Sequence, residues 1–145
     1  MAGNSTPIFS RIGKITWAQV TGTDGSQDGT DADVQLVFTA DATNGSFAHK
    51  ICCQPRSASG SVSFPAGAVR VYLNNGSTNG TAANNSLMRE ISIPATTVNV
   101  AATTGTPAYE IPLNIQLPAG YRLYVGYSNS VANGVLQVTV MGGDY

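Results

Sequence analysis

From Tyr109 to Leu117 an apolar side chain falls on every second residue: Tyr109, Ile111, Leu113, Ile115 and Leu117. This period of two buries one face of a β-strand, whereas a helix would scatter the same side chains around its circumference. Pro112 stands in the outward set. Proline gives a ladder no donor, so the segment predicts an edge strand or a bulge at that position.

The same period recurs along the chain. Arg11 to Val20 splits into Ile15 and Trp17 on one face and Lys14, Thr16 and Ala18 on the other, with Trp17 expected in the core. Val34, Leu36, Phe38 and Ala40 alternate with Gln35, Val37 and Thr39, and the strand ends before the Asn44-Gly45 turn. Phe47 to Gln54 and the short Ser61 to Phe64 read as further strands. In Ala68 to Asn74, Val69, Val71 and Leu73 face the core while Arg70 and Tyr72 face out. Leu87 to Ile93 carries Arg89 on its apolar face, which places it near an edge or beside a carboxylate. Val98 to Val100, Tyr121 to Tyr127 and Gly134 to Met141 complete the series. Two long stretches, Thr21 to Asp31 and Asn74 to Ser86, are rich in Asp-Gly or Asn-Gly pairs and read as polar loops.

Gly, Thr, Ser and Asn supply 55 of the 145 residues, yet 42% of the chain is apolar, so turn-formers punctuate strands and helix-period runs are missing. The length suits one domain. Residues 1–10 read as an N-terminal arm and 11–145 as a single all-β domain. Long connections favour a two-sheet antiparallel β-sandwich wound as a jelly roll of about eight strands, with an immunoglobulin-like sandwich as the alternative.

Seven Lys and Arg against eight Asp and Glu leave a net charge of −1, and charged residues make up only 10% of the chain. No basic stripe is present to displace counterions from a nucleic acid, and no apolar run approaches the roughly 18 residues of a membrane helix. Met1 to Pro7 lack the basic flank and apolar stretch of a secretory signal, so export is not expected.

Chemistry-bearing residues are sparse. His49 is the sole histidine, and its odd spacing from Cys52 puts the two on opposite strand faces. Cys52 and Cys53 also point apart, read as reduced, and leave only Arg56 as a group that could activate a thiol. Asp24, Ser26, Asp28, Asp31 and Asp33 space oxygen ligands as a calcium loop would, but Gln35 occupies the position where the helix-flanked loop needs a carboxylate. Glu90 and Glu110 are predicted to point outward and form no glycosidase pair. The sequons at Asn4, Asn44, Asn75, Asn79 and Asn84 follow from composition. No metal or cofactor is expected, and the chain reads as a non-enzyme.

Leu117-Pro118-Ala119-Gly120-Tyr121-Arg122-Leu123, followed by an apolar strand closing on Met141-Gly142-Gly143-Asp144-Tyr145, resembles small tailed-bacteriophage virion proteins. The rest of the chain agrees in general character, being β-rich, Asn/Gly/Thr-rich and low in charge. The resemblance implies a capsid cement or decoration protein that assembles as a homodimer or homotrimer. It would bind the outer surface of an assembled capsid and bridge neighbouring major capsid subunits, with the major capsid protein and itself as partners.

Candidate contact residues are Ile8 and Phe9 of the arm, which either reach a neighbour or cap the core, together with Tyr72, Arg122, Tyr124 and Tyr145. Tyr and Arg are enriched at binding hot spots. The alternative is a tail-fibre or receptor- or carbohydrate-binding sandwich. A carbohydrate module would present a planar Trp or Tyr platform, and the single Trp17 is expected to be buried.

Overall fold

Alternation along the chain resolves into ten strands in a computed structural model that describes residues 10–103 and 105–145. They are β1 (Ile12–Val20), β2 (Gln35–Thr39), β3 (Ser46–Ser57), β4 (Ser61–Phe64), β5 (Gly67–Asn74), β6 (Asn85–Ile93), β7 (Thr96–Asn99), β8 (Tyr109–Leu117), β9 (Arg122–Tyr127) and β10 (Gly134–Asp144). One four-stranded sheet has the order β1-β10-β3-β8, the other β2-β9-β5-β6, and β4 pairs with β7 in a small third sheet. Every pairing is antiparallel. The chain therefore forms the all-β antiparallel sandwich that its alternation predicts. Within the large sheets β1 pairs with β10, β2 with β9, β3 with β8 and β5 with β6, so one long antiparallel ribbon is rolled over on itself. Among the described residues no helix is long and apolar enough to cross a membrane.

The core lies between the two large sheets. Val20, Phe38, Ile51, Val71, Ile111, Leu123 and Val138 are each at most 1% exposed, and burying such a side chain contributes about 1.5–3 kcal/mol. β8 keeps its expected faces, with Ile111, Leu113 and Leu117 buried and Pro112 exposed. Both readings of Pro112 hold together: β8 is an edge strand, and its register against β3 breaks between Ala48 and Lys50, which faces Pro112. On the same strand Asn114 takes a φ of 50°. A second irregularity, between Val71 and Tyr72 in the β5–β6 ladder, turns Met88 towards the core and leaves Leu87 exposed.

The loop at 21–33 supplies an additional layer. Arg70 and Tyr72 leave the central core on the outer side of β5, as alternation predicts, but the loop is folded over them. Arg70 Nη1 donates to the carbonyls of Asp24 at 2.8 Å and Ser26 at 3.0 Å, and the Tyr72 hydroxyl donates to the Asp24 carboxylate at 2.6 Å. Val34, Tyr72 and Tyr124 form a separate buried cluster beneath it.

Candidate functional site

The two large sheets differ on their outer faces. That of β2-β9-β5-β6 is roofed in part by the 21–33 loop, whereas among the described residues that of β1-β10-β3-β8 is open on the β1 side. In β1 the odd-numbered residues point outward, and Ile15 and Trp17 are 61% and 69% exposed. Met141 and Thr139 on β10 stand directly opposite them, half-buried. Ile12 at the start of the strand and Leu36 on β2 are also exposed. In a chain that is only 10% charged, an exposed Trp and Ile beside a half-buried Met form an apolar patch of the kind that marks an interaction surface.

Even-numbered side chains of β1 reach under the patch to β2. Thr16 Oγ1 donates to the Val37 carbonyl at 2.5 Å and Lys14 Nζ to the Thr39 carbonyl at 2.7 Å. The Lys14 ammonium also pairs with Asp144 at 3.1 Å and sits 5.1 Å from the Phe38 ring centre. These contacts pin the two sheet edges together and leave a shallow groove bounded by Trp17 and Leu36.

The acidic loop is engaged with its own donors. Burial holds the Asp24 carboxyl above its ordinary pKa, against the opposing effects of the Tyr72 hydroxyl and the Arg70 guanidinium. Asp24 Oδ1 is buried with no hydrogen-bond partner among the described residues. Asp28 is held below its ordinary value by the Ser26 hydroxyl and by the Thr30 amide and hydroxyl, and Asp31 by the Ser26 amide and hydroxyl. Among the described residues no group of three His, Cys, Asp or Glu side chains is placed to hold a metal ion. Cys53 is buried, which pushes its thiol up to about 12, while Cys52 lies half-buried on the other face of β3. His49 is exposed at the β3 irregularity, with Nδ1 2.8 Å from Asn114 Oδ1. Lys50 pairs with Glu110 at 2.5 Å.

No protein-family model and no curated protein matches the chain. A chain of the cyanophage Pam1 capsid asymmetric unit superposes with a TM-score of 0.44 at 14% identity, covering 98% of this chain and 91% of that one. A mutant VP2 protein of infectious bursal disease virus, from derived T=1 particles, gives a TM-score of 0.15 at 16% identity, covering 92% of this chain and 40% of that one. Both scores are too low to carry function across.

Of the contact residues expected from sequence, the described ones do not gather on one surface. Ile8 and Phe9 lie outside the described residues. Tyr72 is fully buried and Tyr124 only 8% exposed, because the loop covers the outer side of the strands that carry them. Arg122 is half-buried at the start of β9 and donates to the Ser77 carbonyl at 3.1 Å. Tyr145 is half-buried beyond β10, with its hydroxyl buried and without a hydrogen-bond partner among the described residues. The patch consists instead of Ile15, Trp17 and Met141. Alternation pairs Ile15 with Trp17 correctly but assigns them to the core, and Trp17 is exposed. The signal that finds them is the opposite face: Ala18 and Val20 already supply apolar groups to the core from the even positions.

Proposed function

We propose that this chain is a structural protein of a tailed-phage virion, of the cement or decoration type. It binds the outer surface of the assembled capsid, bridges neighbouring major capsid subunits, and associates with itself. The observation that carries this reading is the open apolar face of β1 and β10, which offers a docking surface on the sandwich. The resemblance of the segment from Leu117 to Tyr145 to small phage virion proteins supports it, and so does the jelly-roll reading of the rolled ribbon. Adhesion of this kind works by mass action: a protein that binds only the assembled shell stabilises it by the binding free energy, summed over all copies.

The test is immunogold electron microscopy of particles from the source virus, with antibody raised against this chain. Label spread over the heads, and loss of heat resistance in stripped heads that is restored by adding the protein back, is the expected result. Label confined to tails, or absent, overturns it.

Trp17 favours a second reading. A tail-fibre or carbohydrate-binding module needs an exposed aromatic ring, and the single Trp supplies one on a sheet face. Glycan-array binding that is lost in Trp17→Ala would establish that class instead.

A further inference from the structure

The large sheets have four edge strands, β1, β8, β2 and β6. A free edge presents a row of unpaired N–H and C=O groups, and proteins blunt such edges with proline, bulges, charges or covering side chains. Three of the four are blunted here. β8 carries Pro112 and the left-handed Asn114 beside a break in register. The β2 edge has its Val37 and Thr39 carbonyls capped by Thr16 and Lys14. β6 carries Arg89 and Glu90 beside a register shift.

Among the described residues β1 has none of these devices: its contacts with β2 run through the inward side chains of Lys14 and Thr16 and leave its backbone edge unpaired. It pairs with β10 over nine residues, Ile12 to Val20, without a shift, and contains no proline. Its one charge, Lys14, is turned inward onto Asp144. The outward side chains next to its free edge are Ile15 and Trp17.

We propose that β1 is a self-pairing edge: two copies join antiparallel, β1 to β1, about a twofold axis at Thr16. The inference rests on the proposed function only for the self-association named there, and it supplies the partner and the contact. Matching of the two apolar side chains selects the register, and charge permits it. Centred on Thr16, the pair sets Ile15 of each copy opposite Trp17 of the other and Lys14 opposite Ala18, so no like charges meet. Centred on Lys14, it would set two ammonium groups against each other. Aromatic and β-branched residues facing each other across an antiparallel pair are a favourable combination.

The buried area fits a second copy. A Trp side chain carries about 150–250 Å², most of it open at Trp17, and Ile15, Leu36 and the backbone edge add to it. This approaches the roughly 600 Å² per partner at the lower end for specific interfaces, so the dimer should form reversibly with concentration.

Sedimentation velocity across a concentration series tests the pairing on three versions of the full chain. Wild type should reach a dimer and go no further. Ile15→Lys with Trp17→Lys should weaken dimerisation by about tenfold or more, because like charges then face each other twice across the axis. Ile15→Glu with Trp17→Lys places opposite charges across the same two pairs and should restore it. Circular dichroism confirms that each variant is folded. A monomeric or trimeric wild type, a doubly lysine-substituted dimer of undiminished affinity, or failure of the opposite-charge variant to recover overturns the proposal. Labelling of phage heads separates the two readings: a dimer that never labels heads removes the capsid assignment alone, and a monomer that labels them removes the edge pairing and self-association while the capsid assignment stands.

Discussion

The Tyr72 hydroxyl donates to Asp24 Oδ2 at 2.6 Å, and the other oxygen of that carboxylate is buried without a partner among the described residues. This bond ties the 21–33 loop to the outer side of β5 and is the polar centre of the second buried cluster. Tyr72→Phe removes the donor and leaves a buried carboxylate with less compensation. Hydrogen bonds to charged groups contribute about 1.5–3 kcal/mol, and a loss in that range is expected. Urea unfolding should show a lower midpoint with an unchanged slope.

Asp24 also sets a direction for the dependence of stability on pH. Its pKa is raised above 3.8 by burial, so the folded chain holds this proton more tightly than the unfolded chain. Its contribution is most favourable below 3.8 and is lost as pH rises through the folded value. Asp28, Asp31 and Asp41 are lowered below 3.8 by hydrogen bonds, so their contribution is present above 3.8 and lost as pH falls through their folded values. Asp24→Asn should therefore gain on wild type as pH rises from about 4 towards neutrality. Thermal melts of both proteins across that range check the sign, and a constant difference would contradict it.

At the other end of the sandwich, Gly142 sits at the irregularity between β10 and β3, where an added Cβ would run into the Phe47 carbonyl oxygen. Backbone cannot swing aside as a side chain can. Gly142→Ala should destabilise by about 1–3 kcal/mol, the usual cost of overpacking, whereas Gly13→Ala, with open space around it, should change far less. Denaturation of the pair makes the comparison.

Cys52 and Cys53 should behave as two different thiols. Native protein treated with a thiol reagent is expected to react at Cys52 and to spare Cys53, whose thiol is fully buried and pushed up to about 12. Both should react after unfolding. Peptide mass spectrometry reads the site, and early labelling of Cys53 would count against its burial.

Trp17 offers a check on the open face that is independent of association. In dilute, monomeric protein Trp17→Ser should leave stability within about 0.5 kcal/mol, as for other exposed positions. In the same dilute protein, acrylamide should quench the wild-type indole freely. A large loss of stability would mean that the ring packs into the fold.

Much of the architecture can be read from alternation, because burial on one face imprints a period of two wherever a strand crosses the sandwich. Ile111, Leu113 and Leu117 are buried as their spacing predicts, and Pro112 marks both an edge and an irregularity. What alternation leaves open is which face is covered and by what. In β1 both faces carry apolar groups, so Ile15 and Trp17 cannot be assigned to core or surface by period alone. Tyr72 and Tyr124 point away from the central core as predicted yet are buried, since a loop distant in sequence folds over them. Leu87 and Met88 exchange roles through a shift in the ladder. The exposed face of β1 escapes the period of two for the same reason: among the described residues it is defined by the absence of a cover.

The pairing of β1 with β10 has a mechanical consequence. Ile12 lies opposite Asp144, so the start of the first strand and the end of the last emerge at the same corner. A load applied to those two points would open the ladder like a zip, parting hydrogen bonds a few at a time instead of shearing all of them together. Traction along this tether would peel the first strand from its neighbour long before it reached the middle of the sheet.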